Sequence, residues 1–443
     1  MTKPGPHPWA TNDSYASGPD IGSDAKTVPL TAHMEDGYYR GRRPAPDILN
    51  WQLNRNYLTE LAVARLQGAN FQHILTDTTS YAGGRLEASA HYADSGANRM
   101  RCSLFYDHGS GNDIRELWSD NGVNWTSPAS DPVLSSVGNA PTVDADGEDS
   151  NHRIVIASWG GGTGYNKVVY NTTHTGAWTS ITWSGGAPAN ALWRSVACDR
   201  DTAGAGVAHW CITAYVSGAS AILWSSTTDN TTFTVESGFS TANGWNPQQV
   251  AHSCHPAGAL GPDDAGNPVW LIHDGNEVYR SVNHVTWTGP VSNTAIGGPR
   301  GIAYSRPSRR WVSAGTAAYA GDVSYSDDNG ASWTTLSGAL PGATGSFDTR
   351  IAGDGYGTLI IIASEAYYDN DLWVSVDEGL TWSLCKPPDD TMAGWASDDG
   401  YIIEPCFFAA NDIDGTPSGC GFFVYAGYDN ATPESRIFRS LVV

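Results

Sequence analysis

SDDNGASW (Ser326–Trp333) and SVDEGLTW (Ser375–Trp382) share one spacing: serine, aspartate two places on, glycine four on and tryptophan seven on. Asp and Ser side chains can accept backbone N–H groups inside a tight turn, glycine admits positive φ, and the indole can plug the turn against a sheet. Each stretch therefore reads as a rigid corner between two strands. A third, WSDNGVNW, keeps Asp120, Gly122 and Trp125 but has Trp118 where the serine belongs. Three eroded copies end at Trp178, Phe233 and Trp287, where only position and the terminal aromatic are retained, and RIFRSLVV supplies the strand that would precede a seventh corner.

The flanking sequence repeats with the corners. Before each one lies an apolar run suited to a buried strand, such as HWCITAYVSG, NPVWLIHDG or GTLIIIASEAYYDN, followed by a shorter one such as EVYRSV or DLWVSV. Ahead of these stand GRLEASAHY, NAPTVDAD, LWRSVACD, VAHSCHPAG, PRGIAYS, TRIAGD and IIEPCFF. The count is seven first, seven second and seven third strands but six fourth strands. An unpaired sheet edge invites aggregation, so the missing strand is expected from elsewhere in the chain. NFQHILTDTTSY (residues 70–81) fits, paired with residues 436–443. The expected architecture is all-β: a seven-bladed β-propeller of four-stranded antiparallel blades over residues 69–443, its ring closed by an N-terminal strand.

The corner motif resembles the Asp-box, or BNR repeat, of sialidases and of many non-enzymatic propellers. The resemblance implies a fold and leaves activity open.

Composition narrows the functional classes. A formal net charge of −22 from 46 acidic and 24 basic residues would repel nucleic-acid phosphates and anionic membrane surfaces, so neither partner is expected. No apolar run is long enough to span a bilayer, and the first twenty residues lack the pattern of a secretory signal. Seven scattered cysteines without a C-x-x-C pair read as free thiols rather than as disulfides or a zinc framework, which suits synthesis in a reducing cytoplasm.

Ahead of the repeats, residues 1–45 read as an extended arm and residues 46–68 as one α-helix, with Asp47 as N-cap and Gly68 as stop. Leu49, Leu53, Tyr57, Leu61 and Ala64, flanked by Trp51, Leu58 and Ala62, form an apolar stripe that needs a cover. That cover is the flank of the propeller, a partner protein or a second copy of the chain. Gly37, Tyr38, Gly41, Arg43, Pro44, Asn50, Trp51, Asn54 and Tyr57 are similar in spacing to a segment near the N-termini of bacteriophage tail and virion proteins. This resemblance implies docking to other virion proteins through residues 1–68, with Tyr38, Arg43, Pro44, Trp51, Leu53, Tyr57, Leu58 and Leu61 as docking residues.

Propellers hold ligands over the axis, at the ends of the innermost strands. Arg85, Arg194, Arg300 and Arg350 stand near the starts of four first strands, where guanidinium groups could take a carboxylate or sulfate in pairs; strand-end salt bridges are the plainer reading. The sialidase resemblance implies three substrate-holding arginines, a tyrosine nucleophile, a glutamate and an aspartate. Glu87, Glu365 and Glu404 beside Tyr304 or Tyr401 could fill those roles. However, Arg153, Arg350 and Arg436 are followed by Ile and never by Ile-Pro, so the family's R-I-P signature is missing. The acidic turn Asp144–Asp149 has calcium-suited oxygens but reads more simply as a solvated turn, and His252, Cys254 and His255 alternate faces of a strand. No metal or cofactor is expected. Trp159, Trp193, Trp245 and Trp395 read as loop aromatics able to stack on a sugar.

The sequence thus points to a virion structural protein of tail, baseplate or head-fibre type that presents a propeller for host-surface glycan recognition or decoration. A sialidase-like glycosidase acting on acidic glycans and a cytoplasmic interaction scaffold are the alternatives.

Overall fold

The computed structural model describes residues 71–77, 84–94, 99–108, 114–119, 122–126, 141–145, 154–158, 168–171, 177–184, 191–198, 209–216, 221–226, 231–236, 249–252, 269–274, 277–293, 299–305, 308–315, 321–343, 347–355, 357–365, 368–385, 406–411, 417–429 and 434–440. The arm and helix expected over residues 1–68 lie outside this set. Every regular element among the described residues is a strand.

β1 (Phe71–Asp77) precedes a first sheet of β2 (Gly84–Asp94), β3 (Arg99–His108) and β4 (Ile114–Ser119). The second comprises β5 (Pro141–Ala145), β6 (Ile154–Ser158), β7 (Val168–Asn171) and β8 (Thr179–Ser180). After β9 (Thr182–Trp183) comes the third, β10 (Ala191–Cys198), β11 (Trp210–Val216), β12 (Ala221–Ser226) and β13 (Thr232–Val235). The fourth is β14 (Gln249–His252), β15 (Trp270–Asp274), β16 (Glu277–Ser281) and β17 (Thr288–Ser292), and the fifth is β18 (Pro299–Ser305), β19 (Arg310–Gly315), β20 (Val323–Ser326) and β21 (Thr334–Leu336). The sixth is β22 (Phe347–Gly353), β23 (Leu359–Glu365), β24 (Tyr368–Ser375) and β25 (Ser383–Cys385), and the last is β26 (Cys406–Asn411), β27 (Pro417–Asp429) and β28 (Glu434–Ser440).

Within each sheet the order follows the chain and neighbours are antiparallel, with two additions. β9 joins the outer edge of the third sheet in parallel beside β13. β1 lies antiparallel to β28, from Phe71 opposite Ser440 to Asp77 opposite Ser435. The first strands of successive sheets touch in chain order, β2, β5, β10, β14, β18, β22 and β26, and β26 in turn touches β2.

The core is made between successive sheets, because each sheet has two apolar faces to cover. Val168 and Ile181 pack with Trp193, Trp210, Ile212 and Phe233 between the second and third sheets. Cys211 and Ala197 meet Trp270 and Tyr279 across the next gap, and Leu271 and Val278 meet Tyr304 and Trp311 across the one after. Val312, Ala314 and Val323 then meet Ile361 and Trp373. Trp210, Trp270, Trp311 and Trp373 are fully buried. At about 200 Å² and about 25 cal/mol per Å² each contributes on the order of 5 kcal/mol before the entropy of ordering is set against it.

The corners tie each sheet to the one before. In the fifth sheet the Ser326 hydroxyl donates to Asp328 Oδ1 (2.8 Å) and accepts the Gly330 N–H (2.8 Å), while Asp328 accepts the Ser332 N–H (2.8 Å) and hydroxyl (2.6 Å). The sixth sheet repeats this with Ser375, Asp377, Gly379 and Thr381, and Trp382 Nε1 donates to the Gly379 carbonyl at 3.0 Å. The glycines have φ of +80° and +85° and sit against the preceding sheet: a Cβ on Gly330 would come within 2.8 Å of Leu271 Cδ2, and one on Gly379 within 2.9 Å of Val312 Cγ2. Positive φ and this close approach both require glycine. The corner aromatics follow the same rule, since Phe233, Trp287, Trp333 and Trp382 each join the cluster shared with the previous sheet.

Two corners differ from the sequence expectation. In WSDNGVNW the absent serine is replaced by its neighbour: Ser119, one place later, accepts the Gly122 N–H at 2.8 Å. The copy ending at Trp287 retains more than its aromatic. Asn283 stands in for aspartate, accepting the Val285 and Thr286 N–H groups at 3.1 and 2.7 Å and bonding Ser281 at 3.2 Å. His284 takes the left-handed position with φ of +53°, and Trp287 Nε1 donates to its carbonyl at 2.8 Å. The turn is one residue shorter, which hides it from a fixed spacing.

Candidate functional site

The four sequence-selected arginines all fall on first strands: Arg85 on β2, Arg194 on β10, Arg300 on β18 and Arg350 on β22. Those strands belong to the touching series described above. Antiparallel pairing sets the first residue of each first strand opposite the last part of the second, as with Pro299 opposite Gly315 and Gln249 opposite His273. Arg85, Arg300 and His273 therefore lie at the ends where first strands begin, with Arg194 and Arg350 each fourth in its strand.

A backbone irregularity recurs here. In β10 the ladder steps from Trp193 opposite Ala214 to Ser195 opposite Thr213, leaving Arg194 as an extra residue. In β18 it steps from Pro299 opposite Gly315 to Gly301 opposite Ala314, leaving Arg300. In β2 it steps from Leu86 opposite Tyr106 to Ala88 opposite Phe105, leaving Glu87. These are β-bulges, and all three extra residues are charged. The carbonyl after each bulged arginine receives a hydroxyl from the second strand: Thr213 Oγ1 to Ser195 O at 3.4 Å, and Ser313 Oγ to Gly301 O at 3.2 Å.

Glycine brings two arginine-bearing strands together. A Cβ on Gly301 would lie 2.7 Å from Ile351 Cγ2 and 2.9 Å from Ile351 N, so the chain at Arg300–Gly301 runs directly against the chain at Arg350–Ile351. The Arg350 guanidinium is half-buried and donates from Nη1 to Thr349 O at 3.2 Å. Its charge is felt on β15: burial first, and then Arg350, hold His273 down to about 3, so this fully buried imidazole is neutral.

Other expectations fare differently. Trp193 is no loop aromatic. It lies within β10, is 3% exposed and stacks on Trp183 with centroids 4.7 Å apart, because its strand is covered by the second sheet. Tyr304 is 2% exposed and tilted against Trp311 between the fourth and fifth sheets, which denies it the solvent access of a nucleophile. Glu87 and Glu365 lie on β2 and β23, and His252 closes β14. Asp120, Tyr401, Glu404, Trp159, Trp245, Trp395, Cys254, His255, residues 146–149 and the docking residues Tyr38, Arg43, Pro44, Trp51, Leu53, Tyr57, Leu58 and Leu61 are outside the described set. Cys198, Cys211 and Cys385 are free thiols, and no group of three or more metal-capable side chains occurs among the described residues. Sequence reasoning missed the bulges and His273; a charged residue interrupting an apolar run, as in LWRSV and PRGIA, is the signal for the former.

No family model matches the chain, and no curated protein matches it. Among solved structures, one described as YCF48 bound to D1 peptide is 13% identical, over 84% of this chain and 96% of that one, with a TM-score of 0.47. The six-bladed β-propeller fucose lectin of Aleuria aurantia is 10% identical over 81% and 91%, with a TM-score of 0.41. A Dyadobacter fermentans protein of unknown function is 9% identical over 84% and 99%, with a TM-score of 0.43. At these values the likenesses carry no functional inference, and the chain's own residues must supply it.

Proposed function

We propose that the chain is a seven-bladed Asp-box β-propeller, closed by pairing of β1 with β28, that serves as a glycan-recognition module displayed on a bacteriophage virion. One observation carries the binding part of this reading: the first strands touch in a cycle, and four of them bear an arginine. In a propeller the innermost strands surround the axis, so residues distant in sequence are gathered at one axial end, where ligands are held by strand ends and loops. The corner hydrogen bonds support the Asp-box reading. They also give the conspicuous Asp and Ser residues a structural rather than catalytic task.

The virion assignment rests on the spacing from Gly37 to Tyr57 and on the apolar stripe of residues 46–68. Recognition without turnover is the reading adopted: the R-I-P signature of the sialidases is missing, and of the two tyrosines considered as nucleophile Tyr304 is sealed between sheets. The test is twofold. The full chain, applied to a glycan array and then assayed for released sugar, is expected to bind without turnover. Co-purification with assembled particles is expected and should be lost on deleting residues 1–68. Sugar release would establish the hydrolase alternative, and particle-free accumulation of the intact chain in infected cytoplasm would establish the scaffold alternative.

A further inference from the structure

In the fifth and sixth sheets glycine seats the corner on the preceding sheet: Gly330 lies against Leu271 and Gly379 against Val312. The fourth corner, SVNHVTW, contains no glycine. Its left-handed residue is His284, with φ of +53°. A residue with a Cβ is strained in that conformation, and such strain persists only where the surroundings over-determine it, as at switch regions. Here the surroundings include a second imidazole. His284 stacks on His209, which immediately precedes β11 of the third sheet, with ring centroids 4.6 Å apart and planes inclined by 29°. Trp270, fully buried, meets the His284 ring at 6.1 Å and 65°. At this corner the seat is made by groups that can be ionised, where the next two corners use apolar ones.

Imidazole is the side chain whose charge ordinarily changes between about pH 5 and 8. A single proton sets one charge against a neutral ring, but two place like charges 4.6 Å apart on half-buried rings, where repulsion exceeds that in bulk water. The corner is coupled to the pair. The Trp287 indole donates to the His284 carbonyl at 2.8 Å and packs against the cluster of Ala197, Cys211, Trp270 and Tyr279 in the gap between the third and fourth sheets. Of the other ionisable groups on these elements, Cys211 and Tyr279 share that gap, while Asp274 and Glu277 pair at the far ends of β15 and β16 from the corner. Arg280 turns the other way and donates to Asp328 O in the fifth sheet, and His273 lies on the Leu271 face of β15, which the fifth sheet covers. Asp199, Arg200 and Asp201 precede His209 in the sequence and lie outside the described residues.

We infer that the stacked pair of His209 and His284 is an acid-sensitive latch, which seats the fourth sheet's corner on the third sheet at neutral pH and releases it when both rings are protonated. The doubly charged form is the one the folded contact disfavours, so the seat is intact above the imidazole range and is lost as pH falls through it. A salt bridge from either ring to a carboxylate has the opposite sign and tightens the seat in acid.

A global unfolding midpoint does not isolate this effect. His273 is held down to about 3 in the folded chain, so the unfolded chain takes up a proton that the folded one refuses, and overall stability declines over the same range with or without the latch. The readout is therefore local. The full chain is treated with a pyridyl disulfide, which reacts with thiols in acid as well as at neutral pH, and the modified cysteines are identified by peptide mapping. Cys211 lies in the latched gap, and Cys198, equally buried, lies in the gap on the other face of the third sheet. Modification of Cys211 relative to Cys198 is expected to accelerate about tenfold or more from about pH 7.5 to about pH 5. This comparison uses the unmodified chain and stands whether or not a variant folds. His284→Asn, which tolerates the left-handed conformation, and His209→Gln should each abolish the acceleration. Equal acceleration of both thiols, slower modification of Cys211 in acid, or an acceleration unchanged in both variants would overturn the latch.

Discussion

Gly379→Ala isolates the contact between a corner and the preceding sheet. Gly379 has φ of +85°, and the new methyl would lie 2.9 Å from Val312 Cγ2, 3.1 Å from its Cγ1 and 3.3 Å from Leu359 Cδ1. Both neighbours are fully buried and lie in one cluster, so neither yields freely. The backbone conformation costs about 1 to 2 kcal/mol for a residue with a Cβ, and overpacking a dense core adds about 1 to 3 kcal/mol. Gly338→Ala is the internal control: its φ is +65° and nothing lies within 4 Å of the added atom, so it bears only the backbone cost. Urea unfolding of both variants reads the difference, expected at about 1 to 3 kcal/mol with Gly379→Ala the less stable. Equal destabilisation would refute the claim that corner glycines seat the sheets on one another.

Trp193→Ala should destabilise by about 3 to 5 kcal/mol in the same assay and leave glycan affinity of the folded fraction unchanged, as befits a ring stacked on Trp183 rather than on a sugar. Ser119→Ala should cost about 1 to 2 kcal/mol, because it leaves the buried Gly122 N–H without its acceptor, and Asn283→Ala about 0.5 to 1.5 kcal/mol, because the exposed Val285 and Thr286 N–H groups turn to water; effects near zero would show that these corners do not depend on the substitute residues. Acid provides another handle. Burial alone would raise the carboxyls of Asp328 and Asp377, but the hydroxyl and N–H donors of Ser332 and Thr381 outweigh it, and both titrate below the ordinary 3.8. A lowered folded value means that the stabilisation is present above the unfolded value and disappears as pH falls through the folded one. The urea midpoint should therefore drop on acidification below 3.8, and Asp328→Asn with Asp377→Asn should flatten that part of the profile.

Much of the strand pattern was legible because each corner announces itself. SDDNGASW and SVDEGLTW contain every group the turn uses, and the apolar runs before them fall on β19 and β23. Where legibility failed, the cause was local. The copy at Ser281 lost one residue, and a fixed spacing could not recognise Asn283 and His284 as replacements. The serine of the first corner moved one place along the chain, to a position that still reaches the Gly122 N–H. Trp193 follows the Gly- and Pro-rich segment GGAPAN and so resembled a loop residue, yet its strand is packed on both faces. The candidate site was readable only as a set of arginines at strand starts. Whether an arginine sits in the ladder or beside it depends on a one-residue register shift, and composition and periodicity do not encode that shift.

Glycan recognition at the axis depends on the cyclic order of the sheets, and an experimental density map of the isolated chain tests that order directly. Viewed along the axis, the map is expected to show seven sectors, with residues 71–77 filling the outer strand of the sector that holds residues 406–440. Six or eight sectors, two stacked layers, or an open edge along residues 434–440 would contradict it and would scatter the arginines that the proposed site brings together.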